Sequence, residues 1–239
     1  MNILLTGGFG LLGKEILKLD DSLIAPSRDE LDITDLALVL FVLNKYNPDT
    51  IIHLAASTNP PEHEEKPQKS IKTNVIGTAN VAMACLEKSI RLVFTSSDYL
   101  YSGAGPHKEE EPLEAPNNFY LSKLAGECTV RICPNSLVLR LSFGPVTFPW
   151  EKVYEGQYNS KLYVDEIAPL VLAAAKSSVT GIMNIGGPRT SLEEYAGRTK
   201  KGIQTILKPD WVPKDTSLDL TKMQAELGIK DLKKLLKRY

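Results

Sequence analysis

The chain has 239 residues and a formal net charge of -1, with 28 lysines and arginines against 29 aspartates and glutamates. That length can bury a sizeable core, and the balanced charge, with no basic stripe, argues against nucleic acid or a membrane surface as a partner. With no apolar run of about eighteen residues and no basic leader, neither a membrane span nor a signal peptide is expected, and the expected location is cytoplasmic. The three cysteines, Cys85, Cys128 and Cys133, are scattered and lie in or near helical apolar patterns. They read as buried reduced thiols, not as disulfides or a metal site, and no metal is expected.

The elements are read in chain order. Ile3-Leu4-Leu5 is a buried strand pattern that ends at Thr6 and runs straight into glycines at Gly7, Gly10 and Gly13. In a dinucleotide fingerprint, Gly7 permits the turn, Gly10 lets the backbone approach a pyrophosphate, and Gly13 lets the helix lie close on the sheet. The following helix, Leu12 to Leu19, would offer free N–H groups and a positive dipole end to phosphate. Phe9, Leu11 and Leu12, between these glycines, belong to the same cofactor-binding turn.

A second strand is expected over Ser22 to Ala25, after which Asp32-Ile33-Thr34-Asp35 leads into a helical run through Tyr46, broken by Asn47-Pro48-Asp49. Thr50 to Leu54 reads as a third strand, Gln68 to Ser89 as one long helix, and Arg91 to Thr95 as a fourth strand. Phe119 to about Arg131 is helical, Ser136 to Arg140 a fifth strand and Gly181 to Ile185 a sixth. Ser191 and Glu194 form a capping box, and short helical stretches follow Thr221 and Asp231. The acidic loops Glu62 to Lys66 and Lys108 to Glu111 read as solvated surface. Strands alternating with helices of this length imply right-handed βαβ crossovers and a Rossmann-type, doubly wound parallel α/β sheet. We expect a dinucleotide-binding part over residues 1–140. Residues 141–239 then return to the sheet and build a small substrate lobe within the same unit.

Several blocks in order resemble one family. They are the glycine turn, Leu31-Asp32-Ile33-Thr34-Asp35, His53-Leu54-Ala55-Ala56, Asn74-Val75-Ile76-Gly77-Thr78, Thr95-Ser96-Ser97-Asp98-Tyr99, Ser122-Lys123-Leu124-Ala125-Gly126-Glu127 and Ser217-Leu218-Asp219-Leu220-Thr221-Lys222. Together they resemble the extended short-chain dehydrogenase/reductases, and among these the dTDP-4-dehydrorhamnose reductases. The resemblance implies that Asp32 and Ile33 lie near the adenine and that Leu54, Ala55 and Ala56 line the cofactor's path. It makes His53 a core residue at a strand end and Asn74 a holder of backbone within the site. It is compatible with a homodimer and names a sugar nucleotide as the small-molecule substrate.

The end of the second strand bears on the cofactor. An NAD-specific site carries an acid there for the ribose 2′-hydroxyl, whereas this chain has Ala25-Pro26-Ser27-Arg28. Ser27 and Arg28 suit a 2′-phosphate, since a guanidinium binds phosphate with paired hydrogen bonds. NADP is therefore the expected cofactor, with NAD left open by Asp29.

In Ser96-Ser97-Asp98-Tyr99, Tyr99 stands where dehydratases of the family carry the glutamate needed for elimination, so carbonyl reduction is expected, with Ser97 orienting the carbonyl. The family acid is the tyrosine of Tyr-x-x-x-Lys, tuned by the lysine. Here the run is Phe119-Tyr120-Leu121-Ser122-Lys123, so Phe119 holds the tyrosine position and Tyr120 is three residues before Lys123. Either the acid is replaced, or the register slips and Tyr120 serves with Lys123. The segment between Arg140 and Asp165 is shorter than the resemblance implies. In it, Phe143 matches an aromatic for the nucleotide base, with a core role as the other reading. The leading expectation is an NADP-dependent reductase of a 4-keto-6-deoxy sugar nucleotide. The alternative is a cofactor-binding regulatory subunit resembling the β subunit of methionine adenosyltransferase.

Overall fold

Apolar strands separated by helices assemble here into one parallel sheet. The computed structural model describes residues 1–210 and 212–237. Strand β1 (Ile3–Thr6) feeds α1 (Leu11–Leu17), and α2 (Leu36–Tyr46) precedes β2 (Thr50–His53). Two short helices, α3 (Pro60–Glu65) and α4 (Pro67–Ser70), lead through a π-helical stretch, Ile71–Gly77, into α5 (Thr78–Lys88) and then β3 (Arg91–Thr95). Next come α6 (Asn118–Val130), β4 (Ser136–Leu141), and the short strands β5 (Phe143–Gly144), β6 (Lys152–Tyr154), β7 (Tyr158–Asn159) and β8 (Leu162–Tyr163). The chain then forms α7 (Val164–Lys176), β9 (Gly181–Ile185), β10 (Thr190–Ser191), α8 (Leu192–Gly197), β11 (Gln204–Ile206) and α9 (Thr221–Leu227).

The sheet has five strands in the order β1-β2-β3-β4-β9, every neighbouring pair parallel. Successive strand residues alternate between two apolar clusters. Ile3, Leu5, Ile52, Val93 and Leu139 face one that includes Ile167 and Val171 of α7. Leu4, Ile51, Leu92, Phe94 and Val138 face another that includes Val39 of α2 and Val81 of α5. Covering both faces explains why the strands are continuous apolar runs, with no polar alternation. A third cluster, of Phe148, Val153, Tyr163, Tyr195 and Ala196, sits among the short C-terminal strands. No helix among the described residues is long and apolar enough to cross a membrane.

The structure departs from several sequence expectations. Ser22 to Ala25 pairs only through Ile24 opposite Leu4, with the Leu5 N–H donating to the Ile24 carbonyl at 2.7 Å and the Ile24 N–H to the Ile3 carbonyl at 3.0 Å. A turn closed on Asp20 precedes it, and Pro26, without an N–H, follows it, so the ladder cannot extend. The helix into which Asp32-Ile33-Thr34-Asp35 leads does form, from Leu36 to Tyr46. Asp35 caps it by accepting the Leu38 N–H at 3.1 Å, while Asp32 accepts the Thr34 N–H in the preceding turn.

The long helix expected over Gln68 to Ser89 does form, running without interruption from Pro67 to Lys88, but its middle, Ile71–Gly77, is π-helical. The acidic loops are not idle. Glu64 accepts the Asn118 N–H at 2.8 Å and so caps α6, and Glu109 accepts the Asn184 N–H at 3.0 Å. Cys85 and Cys133 are buried as expected, but Cys128, on the outer face of α6, is exposed. The capping box of Ser191 and Glu194 forms at the start of α8.

Candidate active site

The site is built along the carboxyl ends of the strands, beginning at the glycine turn. Gly7 takes φ +70°, and a Cβ there would lie 2.7 Å from the Ala55 backbone nitrogen, so only glycine lets the turn lie against the end of β2. Gly10 is exposed and directly precedes α1. Gly13 is required for a close contact: its Cβ would meet the Gly8 carbonyl oxygen at 2.4 Å, so the helix packs on its own turn. Against this turn lies a cavity of about 250 Å³ lined by Gly7, Phe9, Gly10, Arg28, Asp32, Ile33, Ala55 and Ala56, among others. Arg28 is exposed at its mouth, and the Arg28 charge, after the Thr34 N–H and hydroxyl, helps hold the Asp32 carboxyl below its usual range. Ser27 is not among the lining residues. It is engaged with Glu30, whose carboxylate accepts the Ser27 N–H at 2.7 Å.

A second cavity, of about 580 Å³, continues from Gly7, Gly10 and Ala56. It is walled by Leu11, Leu12, Gly13, Leu54, Ser97, Tyr99, Phe119, Tyr120, Lys123 and Phe143, so it gathers most of the residues singled out from sequence. Lys123 is buried and donates from Nζ to the Thr95 carbonyl at 2.7 Å, with the Phe94 ring beneath it at 4.4 Å. Burial lowers its pKa to about 8, against a smaller upward pull from Glu127. Ser97 caps the turn Asp98–Leu100, its Oγ accepting the Tyr99 N–H at 3.2 Å. Its contact with Asp98 is long, 3.5 Å, so the hydroxyl hydrogen remains available to a ligand.

Both aromatic residues at the start of α6 reach this cavity. Asn117 caps the helix by accepting the Tyr120 N–H at 3.1 Å. The Phe119 ring meets His63 edge-on at 5.5 Å, and Tyr120 lies flat on Tyr99 with centroids 5.1 Å apart. The Tyr99 hydroxyl accepts from Gln157 at 2.7 Å. Burial, then Tyr99 and Asp98, push the Tyr120 phenol pKa upward. Phe143 lines the cavity while also packing on the apolar core.

The surrounding residues hold this wall in place. Within the π-helical stretch, Asn74 accepts the Ser57 N–H at 2.8 Å and donates to the Ser57 carbonyl at 3.0 Å and to Ser122 at 2.9 Å. That tie between the β2 loop and α6 is the backbone-holding role expected of it. His53 is fully buried between Thr6 at 2.6 Å and Thr78 at 3.0 Å, and burial lowers its pKa to about 3, as suits a core residue. Behind Lys123, Glu127 pairs with Arg140 at 2.5 Å and accepts from Ser96 at 2.7 Å.

A third cavity, of about 650 Å³, shares Tyr99, Tyr120, Ser142, Trp150 and Lys161 with the second and extends past Tyr154 and Gln157. Sequence reasoning gave no role to Gln157 or Lys161. Gln157 directly precedes β7 and Lys161 lies between β7 and β8, and only the fold brings them to the ends of β3 and β4.

A parallel sheet with a glycine turn after β1 and a serine and a lysine in one cleft at the strand ends defines a Rossmann-type protein of the short-chain dehydrogenase/reductase pattern. Residues 1–144 match the model of the RmlD substrate binding domain, and the chain belongs to that family. It is 28% identical over 199 residues to a dTDP-4-dehydrorhamnose reductase of Aggregatibacter actinomycetemcomitans, covering 79% of this chain and 63% of that one. It is 31% identical over 139 residues to methionine adenosyltransferase 2 subunit beta of Xenopus tropicalis, covering 53% of this chain and 42% of that one. The chain spans about half the length of the curated relatives it matches. Among solved structures, the dTDP-4-dehydrorhamnose reductase of Bacillus anthracis in complex with NADP superposes with a TM-score of 0.86 at 22% identity, covering 97% of this chain and 95% of that one.

Proposed function

We propose that this chain is an NADP-dependent reductase of a 4-keto-6-deoxy sugar nucleotide. The observation that carries the reading is the run of adjoining cavities, from the glycine turn with Arg28, through Ser97 and Lys123, to the aromatic space beside Trp150. The turn fits a pyrophosphate because a side chain at Gly7 would collide with Ala55, and Arg28 stands at the cavity mouth where a 2′-phosphate could be met. When bound, the dinucleotide supplies the hydride. Ser97 donates to the substrate carbonyl and orients it. Lys123 would hold the nicotinamide ribose, its ammonium kept in place by the Thr95 carbonyl. Tyr120 is the phenol on the cavity wall that can deliver the proton. Tyr99, stacked and hydrogen-bonded to Gln157, offers no base for elimination of water.

Family membership and similarity to named reductases support the reading. The test is calorimetric titration with NADPH and NADH, then assay on a panel of sugar nucleotides. We expect tighter NADPH binding, reduction of a 4-keto sugar and no dehydration of an intact nucleotide hexose. Dehydration would overturn the reading of the Ser97-Asp98-Tyr99 block, and failure to bind either dinucleotide would overturn the whole assignment.

Phe119, together with the similarity to the adenosyltransferase β subunit, favours a second reading as a cofactor-binding regulatory subunit. Tight NADPH binding with no turnover, in the native chain and in Phe119→Tyr alike, would select it.

A further inference from the structure

Phe119 leaves the helix position four residues before Lys123 without a hydroxyl, and Tyr120 is poorly suited to replace it. Its ring is stacked on Tyr99 at an interplanar angle of 10°, and burial pushes its pKa upward, away from that of an effective acid near neutral pH. Lys123 is already committed to the Thr95 carbonyl.

Another cation faces the same space. Lys161, between β7 and β8, lines both the cavity that holds Ser97 and Lys123 and the neighbouring aromatic one. It is half-buried, with its backbone N–H donating to Asn159 at 3.0 Å and Nζ 5.6 Å from the centroid of the Tyr195 ring, and no described residue accepts a hydrogen bond from the ammonium. The carboxylate that acts on it is Asp98, buried at the turn after Ser97 and fixed by the Thr216 hydroxyl at 3.0 Å. Burial weakens the hold of Lys161 on its proton and Asp98 partly restores it, so the ammonium is more acidic than that of an exposed lysine. Tyr99, Tyr120 and Lys123 are the other titratable groups on the wall of the shared cavity nearest Ser97.

We propose that Lys161 is the proton donor of the reduction. As hydride from a dihydronicotinamide dinucleotide reaches the carbonyl carbon, the carbonyl oxygen takes a proton from the Lys161 ammonium. The products are an alcohol, the oxidised nicotinamide and a neutral amine that regains its proton from solvent. Asp98 keeps the amine charged beforehand. This inference rests on the reductase reading and moves its proton from Tyr120 to Lys161.

The test compares the native chain with Lys161→Met, Lys161→Arg, Tyr120→Phe and the double variant Lys161→Met/Phe119→Tyr, assaying NADPH oxidation with a 4-keto-6-deoxy sugar nucleotide. Lys161→Met should lower kcat by about 10²- to 10⁴-fold with NADPH affinity unchanged. Lys161→Arg should retain the fold but lose most of the rate, because a guanidinium does not release its proton. Phe119→Tyr should restore part of the rate in the Lys161→Met background. In the protein free of nucleotide, a ¹³C-methylated Lys161 followed by NMR should titrate below the exposed lysines, and further below them in Asp98→Asn. Lys161→Met with native kcat, with or without a raised KM, would overturn the assignment, as would a loss of rate confined to Tyr120→Phe. If the native chain bound NADPH but turned over no 4-keto sugar nucleotide, the reductase reading itself would fall and the donor with it.

Discussion

Arg28 shows how much a single exposed residue can decide. It lies beyond the Ile24 bridge, at the mouth of the cavity beside the glycine turn, and is the cation lining that cavity. A charge-assisted contact to phosphate is worth roughly 1.5–3 kcal/mol. Arg28→Ala should therefore weaken NADPH binding by about tenfold to a hundredfold, as measured by calorimetry, while leaving NADH binding nearly unchanged. Equal loss for both nucleotides would place Arg28 on a shared part of the ligand. The pair at the start of α6 makes a second comparison. If Tyr120 is the acid, Tyr120→Phe lowers turnover by about 10² to 10⁴ without changing cofactor affinity. If it is not, Tyr120→Phe changes little and Phe119→Tyr raises the rate, because it restores the four-residue spacing to Lys123.

Helix α6 illustrates how an element is positioned from both ends. Its N-terminus is capped by Asn117 and by Glu64 from α3, and its middle is held by the buried pair of Glu127 and Arg140. Removing one member of a buried pair leaves the other charge unpaired and costs about 3–5 kcal/mol. Glu127→Gln should lower stability in urea by about that amount and, by removing the upward pull on Lys123, shift the Lys123 titration further down. A variant as stable as the native chain would show that the pair is dispensable.

The parts of the fold that were legible in the sequence are the local ones. The apolar strand runs and the capping box of Ser191 and Glu194 are encoded within a few residues. The glycine turn is also local, and Gly13 packs closely on Gly8 within it. The π-helical stretch was not legible, because it accompanies Asn74 reaching Ser57 and Ser122, contacts that exist only after folding. The same holds for Glu64, read as solvated surface yet capping a helix 54 residues away. Lys161 gave no signal because its carboxylate partner is distant in sequence.

At the scale of the whole molecule, buried titratable groups set opposing trends in stability with pH. The folded-state pKa of His53 is depressed from 6.5 to about 3 by burial, so its contribution is present above pH 6.5 and is lost as pH falls through about 3. His63, also lowered mainly by burial, acts in the same direction. Asp98 has the opposite sign. Burial raises its pKa from 3.8 to about 6, so its contribution is complete below pH 3.8 and disappears as pH rises through about 6. Between pH 4 and 6 the folded chain thus holds a proton on Asp98 that the unfolded chain releases, and lacks one on His53 that the unfolded chain takes up. The slopes of these two groups largely cancel, so Asp98 offsets a loss of stability on acidification that His53 would otherwise cause. Asp98→Asn removes one of them and exposes the other. Urea unfolding of this variant should lose about 1 kcal/mol per pH unit more than the native chain on acidification from pH 6 to 4, the slope of one proton. A variant whose slope equals that of the native chain would mean that Asp98 stays ionised in the fold. It would then act on Lys161 as a full charge even in mild acid.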